Sequence, residues 1–255
     1  MSAAAAPPGR AAGWGRWSAA FLPGTPALVP ELTGDTGRAD LDELRAACTR
    51  AVTRMLNESP GIVVCVGVGT VTRRHDPSAW GTLAGFGVDV ATAPRGRAVH
   101  DAPTLPLSLT LARLMLAAAH WSGEVLLQEV GPAATRDECR RLAGELPGSG
   151  SGWVVMADGS TARTARAPGG LDPRASDFDA GVEAALRAGD PDALTQIDPG
   201  LAAALGASGW GPWQVLAQVA APARVEATVD YAQAPLGVGY VAGSWRADLA
   251  SSSGG

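Results

Sequence analysis

Apolar positions fall into two rhythms along this chain. Apolar runs at Trp17–Leu22, Ile62–Val68, 125–130 and 153–157 predict strands, and the uninterrupted run Ile62–Val68 reads as one covered on both faces. Between them, Leu41, Leu44, Cys48, Val52, Met55 and Leu56 recur at helical spacing, so a helix is expected from a capping box of Asp40 and Glu43 to about Asn57. A second helix is expected over 105–120, with Leu107, Leu111, Leu114, Met115 and Ala118 inward. His120 then sits at its carboxyl end, where a cation suits the helix dipole. Thr135 with Glu138 opens a third, whose buried side is Cys139, Leu142 and Leu146.

Farther on, one device recurs three times. Asp172-Pro173, Asp190-Pro191 and Asp198-Pro199 each place an N-cap acceptor before a proline suited to the first helical position, predicting three short helices in series. The first would bury Phe178, Val182, Ala185 and Leu186 and stop at Gly189. Gly211-Pro212 starts a fourth, with Trp213, Leu216 and Ala217 as core contacts. Strands over 224–231 and 237–245 would pair as a hairpin-like edge. Residues 148–152, all Gly and Ser, predict a flexible joint, and the weak pattern over 71–104 predicts loops or short edge strands. The resulting expectation is a single α/β domain over residues 16–246, a central mixed sheet flanked by helices, between disordered tails at 1–15 and 247–255.

Composition narrows the function classes. The chain has 255 residues, 46% hydrophobic and 18% charged, enough to bury one sizeable core. Every basic side chain is arginine, and the formal charge of −5 supplies no basic field to steer nucleic acid. No apolar run approaches the roughly 20 residues that span a bilayer, and the amino-terminal stretch lacks a signal peptide's basic start and apolar core, so a soluble cytoplasmic protein is expected. Cys48, Cys65 and Cys139 are far apart in apolar surroundings, the pattern of buried free thiols.

The candidate chemistry gathers after residues 153–157, because crevices in open α/β sheets lie beyond the carboxyl ends of strands. Asp158 and Ser160 are the best pocket residues there. Arg163, Arg166 and Arg174 offer a fork for a small carboxylate or phosphate, or else pair with Asp177 or Asp179. Asp172 is a second carboxylate for Asp158, although N-capping already accounts for it. The glycines around Val68 lack the third glycine of a dinucleotide fingerprint and the Gly-Lys-Ser/Thr of a P-loop. His75-Asp76 and His100-Asp101 are weak candidates for nitrogen and oxygen ligands to a metal. No Gly-x-Ser-x-Gly elbow makes Ser160 a nucleophile.

Three segments, DGSTARTARAPGGLDPRASDFDAGV, LAAALGASGWGPWQVLAQVA and YAQAPLGVGYVAGSW, together with the order of elements, resemble actinobacterial proteins similar to the B-type subunit of class III extradiol dioxygenases. The resemblance implies an α/β domain and, in active relatives, an Fe(II) held by two histidines and a carboxylate, with a further histidine as acid/base for ring cleavage of a catechol. Two positions depart from that pattern. Gly24, in Pro23-Gly24-Thr25-Pro26, stands where relatives carry a ligand histidine in Pro-His-Pro-Pro. Asp158 opens the Asp-Gly-Ser loop where relatives place the acid/base histidine. The expectation is a dioxygenase-like protein with a degenerate iron site, non-catalytic or altered in activity. Two alternatives stay open: ring cleavage through relocated ligands, and a small-molecule binding or homo-oligomeric scaffold protein anchored by exposed tryptophans such as Trp80 or Trp210.

Overall fold

The computed structural model describes residues 16–34, 39–92, 105–221 and 223–248; residues 1–15 and 249–255 of the expected tails, and His100 with Asp101, lie outside them. Its strands are β1 (Trp17–Leu22), β2 (Ile62–Val68), β3 (Arg73–His75), β4 (Glu124–Val130), β5 (Ser151–Met156), β6 (Arg224–Gln233) and β7 (Tyr240–Asp248). The helices are α1 (Pro30–Thr33), α2 (Ala39–Asn57), α3 (Leu107–Ala118), α4 (Arg136–Glu145), α5 (Ala175–Ala188), α6 (Pro191–Thr195), α7 (Pro199–Ala204) and α8 (Trp210–Ala220).

All seven strands form one mixed sheet in the order β3-β4-β2-β5-β1-β7-β6. The β4-β2-β5-β1 centre is parallel, and antiparallel strands extend it at both ends. The period-two alternation of side chains explains why the central strands carry apolar residues toward both faces. In β1, Trp17, Ala19 and Phe21 enter one core with α4, α5 and α8, while Ala20 and Leu22 enter the other with α2 and α3. Val64 and Val66 against Val63 and Cys65, and Trp153 and Val155 against Val154 and Met156, repeat the division in β2 and β5. The result is a single mixed α/β domain with helices on both faces.

Several local expectations need correction. Residues 148–152 are not a loose joint: Ser151 and Gly152 begin β5, Gly61 and Gly150 are hydrogen-bonded, and a side chain at 152 would run into Met55 and Pro60. At the other end, β7 continues to Asp248, two residues into the expected carboxyl-terminal tail. Asp40 lies inside the first turn of α2 rather than ahead of it. In α3 the buried side includes Ser108, Leu109, Thr110, Leu111, Ala112 and Leu116, so Leu107, Leu114 and Met115 are only partly covered. Asp190 and Asp198 cap α6 and α7 as expected, their carboxylates accepting from the Ala193 and Leu201 N–H groups. Trp210 is no surface anchor, being 9% exposed and donating its indole N–H to the Ile197 carbonyl. Trp80 is partly buried. Among the described residues no helix is long and apolar enough to cross a membrane.

Candidate functional site

Because β1 and β5 are parallel neighbours, Leu22 lies beside Met156 and the loops that follow emerge together at their carboxyl ends. The connections leave toward opposite faces, α2 on one and α5 to α8 on the other, and strand ends of this kind are where ligand crevices lie in open α/β sheets. Gly24 and Asp158 meet there. The Gly24 N–H donates to Asp158 Oδ1 at 2.9 Å, and a Cβ at position 24 would stand 3.3 Å from Oδ2. From the other side, the Gly209 N–H ahead of α8 donates to the Asp158 carbonyl at 2.9 Å, an approach that a side chain at 209 would block. Asp158 is thereby held by its side chain to the β1 turn and by its backbone to the start of α8.

The electrostatics of Asp158 follow from this enclosure. Burial pushes its carboxyl up from 3.8 to about 6, against the opposing pull of the Gly24 N–H. Among the described residues Oδ2 takes no hydrogen bond. Tyr240 lies close by, its hydroxyl donating to Thr25 Oγ1 at 3.1 Å. Burial raises the Tyr240 phenol, the Thr25 contact opposes that, and the Asp158 charge adds to the rise. This strand-end loop therefore holds a carboxyl whose burial favours its neutral form and whose Oδ2 takes no hydrogen bond among the described residues. Such a group can donate to a ligand oxygen when protonated and accept from a ligand hydroxyl when ionised.

Ser160 and Arg163, expected in the same pocket, are committed elsewhere. Ser160 is fully buried, with its N–H and hydroxyl each donating to Asp179 at 2.7 Å. Arg163 Nη1 adds a third bond to the same carboxylate at 3.0 Å. Beside this cluster the Gly159 N–H donates to the Gly239 carbonyl at 2.8 Å, and a side chain at 239 would occupy the space of the Asp179 carboxylate. Asp172 also departs from expectation. Helix α5 begins at Ala175, and Asp172 instead accepts the Arg174 N–H at 2.9 Å and its guanidinium at 3.0 and 2.7 Å. Pairing with Arg174 holds the Asp172 carboxyl down at about 2. Asp158 and Asp172 are thus not a carboxylate pair, and the three-arginine fork is not assembled.

His75 is where sequence reasoning missed a partner. It lies in edge strand β3, buried, with Nε2 2.8 Å from Glu129 Oε2. Glu129 also accepts from the Thr70 N–H at 2.7 Å, the Val71 N–H at 3.2 Å and Arg73 Nε at 3.0 Å. Burial alone would raise this carboxyl, but the bonds from His75, Val71, Arg73 and Thr70 outweigh it and hold the pKa below its ordinary value. The signal was an acid inside the apolar LLQEV run, which requires paired burial. Asp76 turns away to accept from Ser78 in an exposed turn, so His75-Asp76 is no ligand pair.

A facial triad of two imidazoles and a carboxylate does not fit these described residues. Gly24 has no donor side chain, His75 is turned onto Glu129, and among the described residues no three His, Cys, Asp or Glu side chains stand together in a way that could hold a metal ion. The three cysteines are free and buried, and burial pushes Cys65 up to about 12 and Cys139 up to about 11.

No protein-family model matches the chain, and no curated protein does. Among solved structures it has a distant likeness to the crystal structure of uncharacterized protein JW3007 from Escherichia coli K12. The two share 14% identity at a TM-score of 0.43, over 89% of this chain and 99% of the other.

Proposed function

We propose that the chain is a domain like the B-type subunit of class III extradiol dioxygenases whose iron site has degenerated, leaving a metal-independent small-molecule crevice built on Asp158. The supporting observation is the Gly24–Asp158 contact at 2.9 Å. These two residues stand at the positions where the resemblance expects a ligand histidine and an acid/base histidine. A glycine and a carboxyl in those places keep a polar crevice but cannot supply two imidazoles. The carboxyl offers a ligand hydroxyl an acceptor above about pH 6, and the Gly24 N–H helps hold that acceptor in place.

Catechol titrated into the protein in the presence of EDTA, followed by ligand-observed NMR, tests this reading. Binding should persist without metal, strengthen as the pH rises through about 6, and vanish in Asp158→Ala. Stoichiometric Fe(II) uptake with catechol-dependent oxygen consumption would overturn the loss of the iron site. Absence of catechol binding at every pH would overturn the crevice as a hydroxyl-recognising site.

A further inference from the structure

Farther along the sheet from Asp158, a second pair of strand ends meets the same topological condition. Strands β2 and β4 are parallel neighbours, and their last residues, Val68 and Val130, stand side by side. The chain leaving β2 crosses the end of β4, where the Gly69 N–H donates to the Val130 carbonyl and the Gly131 N–H to Thr72 Oγ1, both at 3.1 Å. It goes on to α3 on one face of the sheet, whereas the chain leaving β4 enters α4 on the other. Parallel neighbours whose connections part to opposite faces are where ligands bind in open α/β sheets.

A cavity of about 320 Å³ lies at this position, between Val68 and Val130 on the sheet and the segment from α7 to the start of α8. Two features of its lining decide what it can take. Ten of the fourteen lining residues are Gly, Ala or Pro, which have no side-chain rotamers. The walls therefore cannot swing inward to fill the space, and a ligand entering it orders no side chain. Among the described residues, the lining also contains no Asp, Glu, Arg or His. The Trp210 indole N–H is already donated to the Ile197 carbonyl at 3.1 Å, which leaves the half-buried Ser208 hydroxyl as the one polar side-chain group. A charged ligand would lose hydration there without meeting a counter-charge, whereas an apolar one gains by leaving water.

We propose that this cavity binds an uncharged, largely apolar small molecule of one or two fused rings. The volume sets the size, being roughly twice the ~150 Å³ that accommodates one benzene in an apolar interior. The lining sets the chemistry, since it offers small apolar walls and a single hydroxyl. Neither Gly24 nor Asp158 takes part, so the assignment is independent of the function proposed for that contact.

Fluoronaphthalene titrated into the full chain and followed by fluorine NMR, with fluoronaphthoate as its charged counterpart, tests the proposal. Fluoronaphthalene should bind at one saturable site, and fluoronaphthoate at least about tenfold more weakly. Ala203 and Ser208 line the cavity without being fully buried, so leucine can be placed at either without disturbing the core. Ala203→Leu and Ser208→Leu should each weaken fluoronaphthalene by at least about tenfold, because side chain and ligand then compete for one space. Both variants should keep or raise the melting temperature, as filling a cavity does. Asp158→Asn should leave the fluoronaphthalene affinity unchanged, which separates this cavity from the Gly24–Asp158 contact. Equal affinity for the two probes, binding unchanged in the folded leucine variants, dependence on Asp158, or no saturable fluoronaphthalene binding would each overturn the assignment.

Discussion

Replacing Asp158 by asparagine isolates the energetic cost of the carboxyl in the crevice. The substitution keeps the shape and an oxygen to accept the Gly24 N–H at 2.9 Å, but it removes the charge. Raising the carboxyl from 3.8 to about 6 on folding penalises the ionised native state by on the order of 3 kcal/mol. The sign follows from linkage. A folded pKa above the unfolded one means that the native protein holds its proton longer, so stability is intact below about pH 4. It is lost between about pH 4 and 6 and stays lost at higher pH. The asparagine variant should therefore match the wild type near pH 4 and exceed it above pH 6 by about 3 kcal/mol, roughly 6–12 °C in melting temperature for a chain of this size. Thermal and urea unfolding of both proteins at pH 4, 6 and 8 measure the difference, in which other titrating groups cancel to first order. A pH-independent difference would show that folding leaves the carboxyl's pKa unshifted, an asparagine variant less stable at pH 8 would show that the ionised carboxyl is stabilised in the native state, and either would refute the reasoning.

Three further outcomes test other parts of the molecule. Glu129→Ala should cost about 3 kcal/mol or more in urea denaturation, since it strands His75 and two backbone N–H groups. The depressed Glu129 pKa places this contribution above its ordinary value of 4.5, so wild-type and variant stabilities should converge as the pH falls below it. Gly239→Ala should cost about 1–3 kcal/mol in the same assay, because the new methyl collides with a carboxylate held by Ser160 and Arg163. His120→Gly should gain about 1 kcal/mol by relieving a left-handed conformation, visible as a higher melting temperature.

The fold was legible wherever one residue pattern had one physical reading. Trp17–Leu22 and Ile62–Val68 are strands with the expected bounds, because a run that is apolar on both alternating faces needs cover on both sides. Asp190 and Asp198 cap helices as expected, whereas Asp172 does not, since its carboxylate is taken by Arg174 and α5 begins only at Ala175. Glycine was the ambiguous letter. Gly152 looked like a flexible joint but serves as clearance for Met55 inside a strand. In the candidate site, the strand-end rule pointed to the loop after β5, and the structure sets Asp158 of that loop beside Gly24. Nothing local could show that Ser160 and Arg163 would be drawn to Asp179, or that His75 would find Glu129 54 residues away. Three-residue β3 has no periodicity to read, and the raised Asp158 pKa arises from surroundings assembled from distant parts of the chain.

The position of β1 between β5 and β7 has a consequence for synthesis. Strand β1 has both of its neighbours, β5 and β7, far downstream in the chain. Its turn meets Asp158 across 134 residues and Tyr240 across 215. Until those arrive, a six-residue segment destined for complete burial, Trp17–Leu22, has neither edge paired. A topology so dependent on distant pairings folds slowly and leaves an apolar strand open to wrong partners in the meantime. Nascent chains arrested before residue 240 should therefore depend on a holdase chaperone, and release of the β6–β7 hairpin should mark the moment at which β1 becomes resistant to protease.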